Sequence, residues 1–280
     1  MSILKIRKPA VAGKFYPSGK QELRELIHEI YRKEKPKIDV SFSSKDFYGG
    51  VVPHAGYIFS AYQAVHFFEL LKQSPVTFDI IVIINPNHTG YGERISLDSH
   101  EIWSTPFGDI EQDMEFLKSL EIPFSNIAHE MEHSGEVMLP FLQYFVPYEF
   151  KIAMITLSQQ NLEQAKILAK KIKDSTEKLN RKIAIIASSD FTHFKNPQQG
   201  SMLDDMVLEQ IKNQDIVKLY KTVNDYQISV CGYGPIMSLM EYSHLHGKYS
   251  SDILARGHSG QIMPSDKVVD YISIVFYKSE

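Results

Sequence analysis

The chain has 280 residues and a mass of 32.1 kDa, enough to bury a sizeable core in one large domain or two small ones. A formal net charge of -4 and an isoelectric point near 6.3 provide no basic surface for nucleic acid or for an anionic membrane. One cysteine cannot form an internal disulfide and no apolar run reaches membrane-spanning length, so we expect a soluble protein of the reducing cytoplasm.

The predicted elements alternate between helices and strands along the chain. A first helix is expected to begin at a capping box formed by Ser18 and Gln21. The later elements, in chain order, are a strand at 48–52, a helix at roughly 60–72, strands at 78–84 and 151–157, a helix capped by Asn161, a strand at 181–187, a helix that starts near Pro235 and stops at Gly247, and a strand at 268–277. No repeat or low-complexity linker interrupts this order, so we expect a single domain over residues 1–280.

Most of the predicted strands are apolar throughout, as in "FDIIVII" and "IAIIA", and do not alternate between apolar and polar residues. Such strands need cover on both faces, and helices separate them along this chain. We therefore expect an α/β fold, an α/β/α sandwich around a mixed, largely parallel sheet. In that architecture, ligands bind outside the carboxyl ends of the strands.

Three of the eleven histidines follow the carboxyl ends of predicted strands. They are His54 in "VVPHAG", His88 in "IINPNHTG" and His193 in "ASSDFTHF". Because these strand ends are expected to lie along one edge of the sheet, the three side chains are expected to converge on one site. Neutral imidazole is the commonest metal ligand, and its second nitrogen needs an orienting partner. Asp190, three residues before His193, is a candidate for that partner or for a ligand itself.

The single cysteine, Cys231, lies directly before a predicted helix in "SVCGYGPIMSLMEY". The glycines that follow it indicate a turn in which the backbone can approach another group closely. A helix N-terminus favours thiolate and lowers the pKa of a cysteine placed there. The residues alone leave two interpretations open: a liganding or reactive cysteine, or a small buried apolar side chain.

A rival motif, "HEMEH" at 129–133, has the H-E-x-x-H spacing of zinc hydrolases. In such an enzyme His129 and His133 bind zinc from one face of a helix, and Glu130 acts as the base. The helical pattern begins only at about Ser134, after both histidines, which makes this the weakest of the hypotheses. His133 alone remains a candidate pocket residue at the start of that helix.

A series of motifs resembles the Memo family, which is also called AmmeMemoRadiSam system protein B. The motifs, in family order, are "KPAVAGKFYP", "PHAGYIFSA", "PNHTG", "WSTPFGDI", "EHSGEVMLPFLQYF", "SSDFTHF" and "CGYGPI". They extend from about residue 8 to the last strand. The resemblance implies the fold of class III extradiol dioxygenases, an α/β/α sandwich whose typical members hold a non-haem iron with two histidines and one glutamate.

The resemblance also implies roles for individual residues. His54 and His88 match the two metal-binding histidines, and Cys231 occupies the place of the dioxygenase glutamate. His193 matches the acid–base histidine, with Asp190 beside it. The residues expected to bind substrate are, by their motifs, His133, Ser134 and Tyr57. Because a thiolate replaces a carboxylate, we expect one metal ion held by a softer ligand set, with iron or copper favoured over zinc.

Two hypotheses for function follow. The first is a redox enzyme that depends on non-haem iron or copper and acts on an unknown small molecule. The second is a non-catalytic binding protein, in which a vestigial dioxygenase cleft recognises a small molecule, a peptide or a partner protein. The family's longer name implies a functional partnership with an AMMECR1-type protein and a radical-SAM enzyme. Neither hypothesis involves nucleic acid or a membrane.

Overall fold

The computed structural model describes residues 4–279, in which strands and helices alternate along most of the chain. The strands are β1 (Ile6–Arg7), β2 (Phe47–Val52), β3 (Ile80–Pro86), β4 (Ile95–Leu97), β5 (Ile102–Thr105), β6 (Gly108–Glu111), β7 (Lys151–Leu157), β8 (Ile183–Ser188), β9 (His193–Lys195), β10 (Tyr249–His258) and β11 (Val268–Lys278). The α-helices are α1 (Lys20–Glu34), α2 (Tyr57–Gln73), α3 (Met114–Ser119), α4 (Ile127–Glu130), α5 (Leu139–Phe145), α6 (Leu162–Leu179), α7 (Pro197–Lys212), α8 (Ile216–Asp225) and α9 (Tyr233–Leu245).

The main sheet is mixed, with a parallel centre. Its strands follow the order β10-β11-β2-β8-β3-β7-β4, and β9 pairs with β11 outside this path. The central strands β2, β8, β3 and β7 run parallel to one another, whereas β11, β10 and β4 pair antiparallel at the flanks. A small second sheet has the order β1-β5-β6. The carboxyl ends of the four central strands therefore lie at one edge of the main sheet.

Helices cover both faces of the main sheet. One core lies between the sheet and helices α3, α6, α7, α8 and α9, and the other lies between the sheet and helices α1, α2 and α5. Consecutive strand residues point to opposite cores, as Ile81 and Val82 of β3 do, and both are fully buried. This explains why the central strands are apolar throughout. The predicted α/β/α sandwich around a mixed sheet is confirmed.

The predicted helix caps have different outcomes. Asn161 caps α6 as predicted, because its side chain accepts a hydrogen bond from Gln164 N at 2.8 Å. The capping box of Ser18 and Gln21 is wrong, because α1 begins after Gly19 and has no side-chain cap. None of the helices in residues 4–279 combines the length and the apolar character that a membrane crossing requires.

Candidate metal centre

Three histidines meet beyond the carboxyl ends of the central strands. His54 follows β2, His88 follows β3, and His133 lies in the loop between α4 and a 3-10 turn at Glu136–Met138. Each offers one ring nitrogen, and these three atoms all lie within 4.8 Å of one another. The ring centres are 4.6 to 5.5 Å apart. The structure thus brings two of the predicted ligands together with a histidine that was expected to bind substrate.

A serine fixes the tautomer of His54. His54 Nδ1 lies 2.7 Å from Ser188 Oγ, and the Ser188 hydroxyl donates its own hydrogen to the carbonyl of Ser134, also at 2.7 Å. Because that hydrogen is used, His54 Nδ1–H is the donor to Ser188. Nε2 of His54 therefore keeps its lone pair for a metal ion.

A buried carboxylate holds His88 in the same way. His88 Nδ1 lies 2.9 Å from Glu132 Oε1, and the backbone N–H of His88 donates to Glu132 Oε2 at 2.6 Å. Glu132 Oε1 also accepts from the Ser134 hydroxyl at 2.7 Å and from the Ser134 N–H at 3.0 Å. Pairing a ligand histidine with a carboxylate raises its basicity and leaves Nε2 as the free nitrogen.

The electrostatics keep these groups in the forms that a metal ion requires. Burial and then the charges of His133 and His88 hold the pKa of His54 well below its usual range. Burial likewise lowers the pKa of His133 to about 4. For Glu132, burial alone would raise the pKa, but the hydrogen bond and charge of His88 and the bonds from Ser134 lower it to about 2. At neutral pH the site therefore presents the neutral imidazoles of His54 and His133 beside the carboxylate of Glu132, and such groups suit a divalent transition metal.

Cys231 lies against the cluster but not within it. Its Sγ is 3.1 Å from His54 Nε2 and accepts a hydrogen bond from Asp190 N at 3.1 Å. In the part of the chain that the structure describes, the set of mutually close ligand atoms comprises the three histidines and leaves this sulfur out. Burial and the charge of Asp190 raise the pKa of Cys231 well above its ordinary value. In the metal-free chain the side chain is therefore a thiol, because burial outweighs the influence of the helix N-terminus; its role as a metal ligand stays a prediction.

A close backbone approach brings Cys231 to this position. The next residue, Gly232, packs so tightly that a Cβ there would lie 2.2 Å from the carbonyl oxygen of Ser188. Gln160 spans the turn, since its Nε2 donates to Cys231 O and its Oε1 accepts from Gly234 N, at 2.8 and 2.7 Å. The predicted turn that needs glycine is confirmed here.

The side chains of His193 and Asp190 do not pair with each other, and each has its own hydrogen-bond partner beside the three histidines. His193 Nδ1 lies 2.8 Å from the carbonyl of Ser229, which can only accept, so Nε2 of His193 carries the free lone pair. Its orienting partner is thus Ser229, and the prediction that Asp190 fills this role is wrong. Asp190 is buried instead, where Oδ1 accepts from His54 N at 2.7 Å and desolvation raises its pKa to about 6.

The two remaining predicted substrate residues are buried. Ser134 is fully buried, and its hydroxyl contacts Glu132 Oε1 at 2.7 Å and Pro86 O at 3.2 Å, so it supports the site from behind. Tyr57 is a core residue that stacks on Phe141 and donates its hydroxyl to a backbone carbonyl at 2.7 Å. Neither hydroxyl has the exposure that contact with a substrate requires.

The H-E-x-x-H motif does not form a zinc site. Helix α4 ends at Glu130, so His129 and His133 do not share a helical face. His129 is buried with both ring nitrogens occupied, Nε2 3.1 Å from Ser96 O and Nδ1 3.2 Å from Thr156 Oγ1. Glu130 is exposed. The zinc hydrolase hypothesis is therefore wrong.

A buried ion pair, which the sequence analysis did not identify, holds the loop that carries Glu132 and His133. Arg7 and Glu136 are both buried and joined by a short side-chain contact, and the Arg7 guanidinium also donates to the carbonyls of His129 and Glu132, each at 2.9 Å. Glu132 and Ser188, which contact Nδ1 of His88 and of His54, were also not assigned by sequence. Both stand inside the quoted motifs "EHSGEVM" and "SSDFTHF", which was the available signal.

Comparison with known proteins supports the resemblance across the chain. A family model described as "Memo-like protein" matches residues 7–275. The relatives include a "MEMO1 family protein" of Methanobrevibacter smithii, 40% identical, with 97% of this chain and 99% of that protein covered. Proteins with the same description in Methanocaldococcus jannaschii and Archaeoglobus fulgidus are 37% and 36% identical; the matches cover 98% and 97% of this chain and 98% and 99% of those proteins.

A solved structure shares the fold. The crystal structure of an uncharacterized protein from Escherichia coli K12 superposes with a TM-score of 0.51 at 12% identity, covering 81% of this chain and 98% of that one. At this level of identity the likeness concerns the architecture alone.

Proposed function

This chain belongs to the Memo-like protein family, and on that premise we propose that it binds one iron or copper ion and catalyses a redox reaction on a small molecule. The observation that carries the proposal is the cluster of His54, His88 and His133, whose nitrogens lie within 4.8 Å of one another. Three nitrogens bound tetrahedrally to one ion at about 2.1 Å lie about 3.4 Å apart, so the cluster fits an ion after each pair closes by at most about 1.4 Å.

The orienting groups support a metal role over a purely structural one. A satisfied core histidine uses both of its ring nitrogens, as His129 does. In His88 the protein engages Nδ1 and leaves Nε2 to face the cluster, whereas in His54 Nδ1 is engaged by Ser188 and the partner of Nε2 is the sulfur of Cys231, itself a possible metal ligand. The sulfur of Cys231 is the neighbour of His54 Nε2, so a metal ion at this nitrogen would also meet the thiol.

Bound iron or copper would supply one-electron chemistry that amino-acid side chains lack. The protein's own residues would orient and protonate. Glu132 and Ser188 keep the imidazoles in the liganding tautomer, and the free Nε2 of half-exposed His193 accepts or returns a proton beside the site. Soft Cys231 favours copper(I) or thiolate-tolerant iron if it joins the ligand set.

The test is a metal titration of metal-free protein, with anaerobic iron(II) and with copper(I), that measures stoichiometry and affinity. We expect one ion per chain, and at least about 100-fold weaker binding in His133→Ala, because one of three ligands is lost. The matched control is His244→Ala, an exposed histidine near the end of α9, which should bind as the wild type does.

The variants distinguish two possible ligand sets, in which either His133 or Cys231 joins His54 and His88. They also distinguish a catalytic from a non-catalytic function. If Cys231→Ser weakens binding more than His133→Ala does, the ligand set is His54, His88 and Cys231. Oxygen consumption by the loaded protein with candidate phenols should fall in His193→Ala while metal affinity stays unchanged. A wild type that binds no stoichiometric metal would contradict the proposal and leave the non-catalytic binding protein. The partnership with an AMMECR1-type protein and a radical-SAM enzyme stays a prediction.

A further inference from the structure

Two buried aspartates lie behind the loop that ends in His193. Asp204 on α7 is 0% exposed and Asp270 on β11 is 5% exposed, and their carboxyl groups are within hydrogen-bonding reach of each other. Neither residue belongs to the histidine cluster. Buried carboxyl groups need a partner, since an unpaired charge in the interior is costly.

The pair is tied to the loop through several hydrogen bonds. Asp204 Oδ1 accepts from Thr192 N at 3.0 Å and from Thr192 Oγ1 at 2.6 Å. The backbone of Asp270 donates to Thr192 O at 2.9 Å and accepts from Phe191 N at 2.9 Å. Thr192 directly precedes His193, so the position of the aspartates sets the position of this histidine.

The Oδ2 atoms of Asp204 and Asp270 need a shared proton. Within residues 4–279, no N–H or O–H group donates to Oδ2 of Asp204 or to Oδ2 of Asp270. Helix α7 packs directly against this point, because a Cβ on Gly200 would lie 2.2 Å from Asp270 Oδ2. Two facing carboxylates without donors repel each other, whereas one proton between them gives each a partner.

We propose that Asp204 and Asp270 share one proton and, through Thr192, act as positioning residues for His193, so that loss of the proton releases the loop. The inference rests on the proposed function only for the task of His193. We call this proton-dependent attachment of the loop to Asp204 and Asp270 the latch. It is a property of the chain with or without a metal ion.

The charges around the pair fix the direction of the pH dependence. Arg256 on β10 is the cation that acts on both carboxyl groups. Its guanidinium lies 3.8 Å from Asp204 Oδ2, beyond hydrogen-bonding distance. It is instead bonded to Asp205 on α7, at 2.5 Å, and to Ser201 O. From β9 and the loop before it, within residues 4–279, the two carboxyl groups accept only from the N–H and hydroxyl of Thr192. On β10, His258 stands opposite Asp270 in the strand register. Burial and then the charge of Asp204 raise the pKa of Asp270 to about 7, and burial also raises the pKa of Asp204.

An aspartate in the unfolded chain has a pKa near 3.9, so the folded pair holds its proton to a higher pH than the unfolded chain does. The stabilisation that the proton provides is therefore present at acid pH and lost as the pH rises through about 7. Between the two pKa values each pH unit weakens this stabilisation by up to about tenfold, and above about 7 it levels off because both states are ionised.

The test is hydrogen exchange of the segment 188–196 in metal-free full-length protein, in the wild type and in Asp270→Asn. The carboxamide donates permanently to Asp204 and so replaces the shared proton. At pH 5.5 the two proteins should exchange at rates within about twofold of each other. At pH 8.5 the wild type should exchange at least about tenfold faster than the variant. Comparing both proteins at the same pH removes the intrinsic dependence of exchange on pH.

The control is Asp266→Asn, an exposed aspartate four residues before Asp270, which should follow the wild type at both pH values. Asp204→Asn retains an acceptor for Thr192 and should reproduce the result of Asp270→Asn, which provides a second variant if one fails to fold. A ratio of wild-type to variant exchange that is the same at both pH values would overturn the latch. Because no metal is present, this outcome is independent of whether the histidines bind one.

Discussion

The buried carboxylate of Glu136 should be one of the largest single contributors to the stability of the loop that carries His133. Its oxygens accept from four donors: the Arg7 guanidinium, Ala10 N at 2.8 Å, Val11 N at 3.1 Å and Tyr16 OH at 2.5 Å. Glu136 is 0% exposed and Arg7 is 2% exposed, so water cannot replace a lost contact. In Glu136→Gln, the amide NH₂ would face donors and the guanidinium would lose its counter-charge.

Removing one partner of a buried ion pair costs about 3–5 kcal/mol, and we expect this loss of unfolding free energy in Glu136→Gln. Urea unfolding of the metal-free protein at pH 7 measures it. The matched control is Glu130→Gln, an exposed carboxylate six residues earlier, which should change the free energy by less than about 0.5 kcal/mol.

Arg7→Met provides an internal check on the reasoning. It leaves the Glu136 carboxylate with its three other donors, but it also removes the donors to two loop carbonyls, so it should likewise destabilise. A loss below about 1 kcal/mol in Glu136→Gln would show that the network is not needed for stability and would refute this account.

Two further substitutions test the geometry around His54. In Ser188→Ala, Nδ1 of His54 loses its acceptor, so metal affinity should fall by about 10–100-fold. The control is Ser238→Ala, a buried serine of α9, which should leave the metal affinity unchanged. Equal affinities of the two variants would show that Ser188 does not orient His54. In Gly232→Ala, the new Cβ would lie 2.2 Å from a backbone oxygen, so urea unfolding should show a loss of about 1–3 kcal/mol or more. Gly19→Ala, whose Cβ would meet only the flexible end of a glutamate, is the control, and a Gly232→Ala protein as stable as that control would contradict the close approach.

The sequence predicted the sheet well because its signal is local. Strands such as 151–157 are apolar runs of the right length, and both cores require that pattern. The edge strand β10 was not predicted. Its residues are mostly half-exposed, so the burial that makes a central strand apolar does not act on them.

The candidate site was predicted in part, since His54 and His88 follow strand ends and the topology brings strand ends together. The location of His133 could not be predicted in this way, because it depends on how a loop folds across the sheet. That loop is held by Arg7, which is 129 residues from Glu136 along the chain. The state of Cys231 was missed for a similar reason: sequence shows the helix that follows it but not the burial that raises its pKa.

The charge of the site explains how a thiol can stand where the resemblance to dioxygenases implies a glutamate. A neutral thiol at position 231 leaves the nearest ligands without a negative charge, because the three imidazoles are neutral when they bind metal. Glu132 restores one negative charge, since it stays ionised and bonds to Nδ1 of His88. An anion placed behind a ligand attracts a divalent ion without occupying a coordination position. The same cluster thus favours a cation without a thiolate at position 231.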